Sequence, residues 1–287
     1  MSTVNRFIRN LTLPFKSLIP DRYKISPSGL VRIRVNRELS INIKTNQTSY
    51  ITKQLFWLDP LCFEYTPIFL DIIKDMNTFW DVGANIGYYS IIGSKTNPTL
   101  TVEAFEPSMG PMTYLSENIK INNVSKRVKI NPYALSDDTG DIDFYEIYNP
   151  KFPSVLNLSG EHNTGAKNKI LSKKTKVAAK CLDDVRRDSN QIDLIKIDVE
   201  GSEIQVLKGG IETIKDDRPI IICEVLFGLN ESDLDLMFQN MNYTYFAHVG
   251  NGLKRIDSLL RKHDNGVRNV FFIPKEKETI VEKYIIN

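Results

Sequence analysis

Cysteine and histidine are scarce in this chain, with three of each among 287 residues. Cys62, Cys181 and Cys223 lie far apart and have neither metal-binding nor redox spacing. That excludes a disulfide-stapled scaffold and fits reduced thiols in a cytoplasmic protein. His162, His248 and His263 complete no zinc set with them. Charge of one sign is also lacking. A net charge of +2, with 41% hydrophobic and 25% charged residues, gives no global reason to expect a nucleic acid or an acidic partner.

The first twenty residues lack an apolar run long enough for a signal-peptide core or a membrane span. They contain instead Arg6, Arg9 and Lys16 among Phe7, Ile8, Leu11, Leu13 and Phe15. This reads as a packed or disordered leader, with weak membrane-surface association through a basic amphipathic face as the alternative. Without a secretory signal, triplets such as Asn10-Leu11-Thr12 and Asn157-Leu158-Ser159 carry no weight as glycosylation sites.

Periodicity divides the rest. Leu30, Val31, Ile33 and Val35, then Leu39, Ile41 and Ile43, alternate as a small β-hairpin. Residues 1–58 are expected to form a leader and hairpin extension, and 59–287 the main domain. Pro60 to Met76 suits one helix leading into a strand at Phe79. From there strands and helices alternate, the pattern of a parallel sheet with crossover helices. Strands are expected over 100–105, 128–130, 192–197 and 219–225. The helix at Pro111 to Ile121 has Pro111 near its first position. Ile204, Leu207 and Ile211 mark a short helix stopped around Gly209-Gly210, and a final antiparallel pair joins 243–249 to 270–273. Residues 148–174 are irregular, with Pro150, Pro153, Gly160 and Gly165 before Lys167, Lys169, Lys173 and Lys174. We read them as a lid over an acceptor site, its lysines a solvated run or a contact for an anionic acceptor.

The most informative segment is Phe79-Trp80-Asp81-Val82-Gly83-Ala84-Asn85-Ile86-Gly87. A dinucleotide fingerprint needs glycines two and five positions after Gly83, where this chain has Asn85 and Tyr88. The spacing Asp81-x-Gly83-x-x-x-Gly87 suits S-adenosylmethionine, a ligand with a ribose and an amino-acid end but no phosphates. Gly83 permits a positive φ or close approach, Gly87 close packing at the helix start, and Asp81 faces the cationic methionine portion.

Ligands of open α/β sheets bind beyond the carboxyl ends of the strands. Three such ends here carry acids: Asp81, Glu106, and Asp198 with Glu200. Glu106 lies 19 residues beyond Gly87, near the distance of a ribose-reading acid, and a carboxylate accepts both hydroxyls of a vicinal diol. Ala134, after the third strand, falls where backbone groups read an adenine edge. Asp198 is oriented toward the cofactor.

Asp81-Val82-Gly83-Ala84-Asn85-Ile86-Gly87-Tyr88-Tyr89-Ser90, Phe105-Glu106-Pro107, Ala134-Leu135-Ser136-Asp137 and Ile195-Lys196-Ile197-Asp198-Val199-Glu200-Gly201-Ser202-Glu203 together resemble the FkbM family of S-adenosylmethionine-dependent methyltransferases. The likeness runs from about Phe79 to Glu224 and on to Asn269-Val270-Phe271-Phe272-Ile273-Pro274. It implies an α/β, Rossmann-like class I methyltransferase fold, a seven-stranded sheet with a reversed C-terminal hairpin. It also implies O-methylation of a hydroxyl on a sugar, glycan or related natural-product acceptor.

Methyl transfer from a sulfonium is an in-line displacement helped by alignment and a base. Glu200 and Glu224 are the candidate bases, and His162 is another if the lid closes. Asp198, Glu200 and Glu224 offer oxygens of the kind magnesium takes, but the reaction as read here needs no metal. A nicotinamide-dependent dehydrogenase and a non-catalytic cofactor-binding scaffold are the rival readings.

Overall fold

Alternating apolar residues near the N-terminus become β1 (Gly29–Arg34) and β2 (Ser40–Thr45), paired antiparallel with Val31 opposite Ile43 and Ile33 opposite Ile41. All four side chains are buried, each contributing roughly 1.5–3 kcal/mol of apolar burial before chain entropy is counted. The computed structural model describes residues 7, 19–20, 23–147, 154–158 and 172–286. His162, Lys167 and Lys169, with most of the expected lid and of the N-terminal leader, lie outside the described residues.

After β2 come α1 (Tyr50–Trp57), capped by the Ser49 hydroxyl, and α2 (Thr66–Ile72). The single helix expected over 60–76 is broken. Pro60–Cys62 and Ile73–Asp75 are 3-10 turns on either side of α2, and Glu64 adopts a left-handed φ of 44° between them. Proline has no N–H to continue a helix and favours its first turn, so Pro60 and Pro67 each start a new element.

The main domain then winds through β3 (Thr78–Val82), α3 (Tyr88–Thr96), β4 (Thr101–Phe105), α4 (Met109–Ile121) and β5 (Val128–Asn131). β6 (Ala134–Ser136), β7 (Gly140–Ile147) and β8 (Ser172–Cys181) form a separate sheet in the order β6-β8-β7. α5 (Leu182–Arg186), β9 (Leu194–Ile197), α6 (Glu203–Lys208), α7 (Ile211–Asp217), β10 (Ile220–Glu224), α8 (Glu231–Phe238), β11 (Tyr243–Val249), β12 (Gly252–Ile256), β13 (Asn269–Pro274) and β14 (Ile285–Ile286) complete the chain.

The large sheet has the order β14-β12-β11-β13-β10-β9-β3-β4-β5. Strands β5, β4, β3, β9 and β10 are parallel, and β13 runs antiparallel to both β10 and β11. These seven strands are the expected mixed sheet with its reversed end; β12 and β14 extend the edge beyond β11. Successive residues of β3 serve opposite faces: Phe79 joins the core that includes the hairpin and α3, and Trp80 joins the core around α6 and α8.

Three local expectations need correction. Helix α4 begins at Met109 after Ser108, two residues ahead of the expected start at Pro111, which is its third residue. The helix after Glu200 ends at Lys208, and Ile211 opens α7. There the backbone of β6 comes so close that a Cβ on Gly209 would lie 1.9 Å from the Ser136 carbonyl oxygen. The end of the expected lid is strand: Lys173 and Lys174 belong to β8, where Lys174 pairs with Asp143 of β7 at 2.7 Å.

The hairpin is fastened to α4 by side chains acting as a strand edge. Asn118 Oδ1 accepts the Lys44 amide at 2.6 Å and its Nδ2 donates to the Lys44 carbonyl at 3.1 Å. Asn122, one helical turn on, does the same for Asn42 at 3.0 and 2.6 Å. Asn118 Nδ2 also donates to the Ile86 carbonyl at 3.0 Å, tying the hairpin to the loop after β3. No helix among the described residues is long and apolar enough to cross a membrane.

Candidate functional site

Strand order reverses at β3, with β4 on one side and β9 on the other, so the loops leaving the carboxyl ends of β3 and β9 part and leave a crevice. A cavity of about 740 Å³ occupies this place. Asp81, Gly83, Ala84, Asn85, Glu106, Ala134, Asp198, Glu200 and Glu224 all line it. Gly87 does not; it caps α3 at φ 88°, where a Cβ would lie 2.6 Å from Leu115 Cδ1.

The loop after β3 is held by its neighbours. The Gly83 and Ala84 amides both donate to the Phe105 carbonyl at 3.0 Å, and the Asp198 amide donates to the Val82 carbonyl at 3.1 Å. Gly83 has φ 76°, and a Cβ there would lie 1.9 Å from the Asp198 carbonyl oxygen. Glycine is required because two strand-end loops meet backbone to backbone. Asn85, also left-handed at φ 50°, accepts the Ile86 amide on its own side chain, as short polar side chains in this conformation commonly do.

Glu106 is buried at the end of β4. Its Oε2 accepts the Asn85 amide and its Oε1 the Ser108 amide, each at 2.9 Å. Each oxygen keeps lone pairs for a further donor. Burial pushes the carboxyl up to about 7, against the opposing pull of those two amides.

At the junction of β3 and β9 the Lys196 ammonium, 3% exposed, lies 3.2 Å from Asp198 Oδ2, 3.6 Å from Asp81 Oδ1 and 3.4 Å from the Gly83 carbonyl. Burial opposes its charge, but Asp198, Asp81 and Glu64 outweigh that and hold its pKa above the ordinary lysine value. Asp81 Oδ2 accepts both the amide and the hydroxyl of Ser90, at 3.1 and 2.6 Å. Its Oδ1 accepts no hydrogen bond despite full burial.

The Asp198-Val199-Glu200-Gly201 loop is organised by an acid that the sequence reading passed over. Glu203 Oε1 accepts the Val199 and Gly201 amides at 3.2 and 3.0 Å, and its Oε2 accepts Asn230 Nδ2 at 2.7 Å. Glu203 thus holds the loop ahead of α6 from the first residue of that helix. Glu200 sits at the cavity with a left-handed φ of 55°. Glu224, at the end of β10, has its Oε2 buried without a hydrogen-bond partner. Burial first, then Asp198 and Glu200, push its carboxyl far above the usual carboxylate range.

Glu64 and Lys196 were also missed as site residues. Lys196 stood within the motif at the end of β9 but was given no role, and Glu64 lies ahead of the motif region and carries no motif. Among the described residues no three acidic, histidine or cysteine side chains converge as a metal site. Chemically, the cavity is acid-rich, with a carboxylate able to take a diol and, near Asp81, three carboxylates around the Lys196 ammonium.

Residues 81–269 match a family model described as the methyltransferase FkbM domain. Methyltransferase sdnD of Sordaria araneosa is 31% identical over 177 residues, which cover 51% of this chain and 68% of that protein. Hexuronic acid methyltransferase AglP of Haloferax volcanii is 29% identical over 171 residues, covering 58% of this chain and 63% of that one. Among solved structures, methyltransferase FkbM from Methylobacillus flagellatus KT aligns with a TM-score of 0.45 at 17% identity, over 69% of this chain and 44% of that chain.

Proposed function

The chain belongs to the FkbM methyltransferase family, and on that premise we propose that it transfers a methyl group from S-adenosylmethionine to a hydroxyl oxygen of a sugar, glycan or related natural-product acceptor. The observation that carries the cofactor half is Glu106: a buried carboxylate at a strand end, aimed by two backbone amides and retaining lone pairs for a ribose diol. Two further features fit the same ligand. Asp81 Oδ1 is a buried acceptor without a donor, suited to a cationic amino-acid end. The loop from Gly83 to Gly87 lacks the further glycines that a pyrophosphate needs, which speaks against a nicotinamide dinucleotide.

In this reading Asp81, Gly83, Ala84, Asn85, Gly87, Glu106, Ala134 and Asp198 form the cofactor half, with Ala134 at the adenine edge and Gly87 acting through helix packing. When bound, S-adenosylmethionine supplies a methyl on a positively charged sulfur that leaves as a neutral thioether. The protein aligns the acceptor oxygen, excludes water and receives the hydroxyl proton. Glu200 and Glu224 are the groups placed to take that proton. With a raised pKa, Glu224 would act as a base only where cationic charge offsets its acidic neighbours.

The acceptor class rests on chemistry and on likeness. A sugar offers hydroxyl oxygens, and a relative named for hexuronic acid supports a carbohydrate. Calorimetry with S-adenosylmethionine and with NAD tests the cofactor half; saturable binding of NAD alone would overturn it. Mass spectrometry of glycans and small metabolites with and without the gene tests the acceptor half. A shift of one methyl group on a carbohydrate is expected, and a methylated product of another class would overturn it.

A further inference from the structure

We propose that Glu64, supplied by the segment ahead of the family match, is the counter-ion that receives the α-ammonium group of the cofactor's amino-acid end. The inference rests on the cofactor reading above and extends it to a residue outside residues 81–269.

Glu64 lines the same cavity as Asp81, Lys196 and Asp198. Its backbone is left-handed, at φ 44°, a conformation that costs a glutamate energy and persists only where the surroundings enforce it. Phe63 and Tyr65 on either side are buried, while Glu64 between them is exposed and lines the cavity. Tyr89 fixes its aim, donating its hydroxyl to Glu64 Oε2 at 2.8 Å. Tyr89 is itself held, stacked on Tyr65 at 5.0 Å and edge-on to Phe69 at 4.9 Å.

Charge decides what Glu64 awaits. Three carboxylates, Glu64, Asp81 and Asp198, share one ammonium, that of Lys196. Asp81 Oδ1 accepts no hydrogen bond, and Glu64 Oε1 accepts none from a described residue. An ammonium group brings one full charge and three N–H donors, which is the deficit. Glu64 keeps exposed surface; surrounding protein and then the charge of Asp198 raise its carboxyl, and an arriving ammonium would offset the second of these. A role as the acceptor's base fits less well. The Tyr89 hydroxyl donates to Glu64 and stabilises its ionised form, which steadies a counter-ion and weakens a base.

The test compares S-adenosylhomocysteine with 5′-methylthioadenosine, which keeps the nucleoside and sulfur but lacks the amino-acid end. By calorimetry, Glu64→Gln should weaken S-adenosylhomocysteine about tenfold or more while leaving methylthioadenosine within about twofold, the scale of a charged hydrogen bond. Tyr89→Phe, which removes the aiming hydroxyl, should do the same to a smaller extent and serves if Glu64→Gln fails to fold. Unchanged affinity for S-adenosylhomocysteine, or equal losses for both ligands, would overturn the proposal. So would lost turnover with intact affinity, which would make Glu64 a base. If the wild-type protein binds neither ligand, it is the cofactor reading that fails, and the proposal with it.

Discussion

Glu106 accepts the Asn85 amide through Oε2 at 2.9 Å, so the acid ending β4 holds the loop that follows β3. One carboxylate both shapes the loop after β3 and faces the cavity. Glu106→Ala should therefore weaken S-adenosylmethionine binding by about 1–3 kcal/mol, the scale of a lost charge-assisted hydrogen bond. Glu106→Gln should also weaken it, because its NH₂ group would meet one of two backbone donors. Calorimetry on both variants measures this, and full affinity in Glu106→Ala would remove Glu106 as the ribose acid.

The same residue makes the ligand-free protein sensitive to pH. Its carboxyl is raised from 4.5 to about 7 in the folded protein, so between those values the folded state binds more protons than the unfolded state. Stability from this group is present at low pH and lost as pH rises through 7, by at most on the order of 3 kcal/mol. Melting temperatures measured from pH 5 to 8 should fall with pH in the wild type and fall less in Glu106→Gln.

Glu200→Gln should lower turnover by about 10²- to 10⁴-fold, the range for loss of a base, with little change in cofactor affinity. Glu224→Gln provides the comparison, since burial and its acidic neighbours already favour its protonated form. Single-turnover kinetics with a methylated acceptor as product distinguish them. A fully active Glu200→Gln enzyme would leave Glu224 as the candidate.

Asn118→Ala leaves the Lys44 amide, the Lys44 carbonyl and the Ile86 carbonyl without their present partner. The expected cost is about 2–4 kcal/mol, read as a melting temperature lowered by several degrees. Because Ile86 belongs to the loop after β3, which the proposed function gives to the cofactor, ligand affinity should fall as well. A variant with unchanged melting would show that water replaces the carboxamide.

Much of the architecture was readable because two signals were strong. Apolar runs ending in acids marked β3, β4 and β9, and glycine at 83 marked the tight meeting of two loops. What escaped reading depended on contacts far apart in sequence. The break between α6 and α7 follows from β6 pressing on Gly209, and nothing near Gly209 in the chain announces that neighbour. Glu64 owes its place to a left-handed backbone in a segment whose apolar content suggested continuous helix. Glu203 stood in the sequence only as the last residue of a motif, because its partner Asn230, just ahead of α8, lies 27 residues further on. Strands β12 and β14, at the end of the sheet beyond β11, were passed over because strands near an edge need neither a long apolar run nor strict alternation.

The two asparagines of α4 that clasp β2 have a consequence for where this protein begins as a physical object. The family match starts at residue 81, yet Val31, Ile33, Ile41 and Ile43 share one buried core with Phe79 and Ile91. A chain trimmed to the shared part would turn that apolar face and both carboxamides out to water. The packed unit begins ahead of the matched segment.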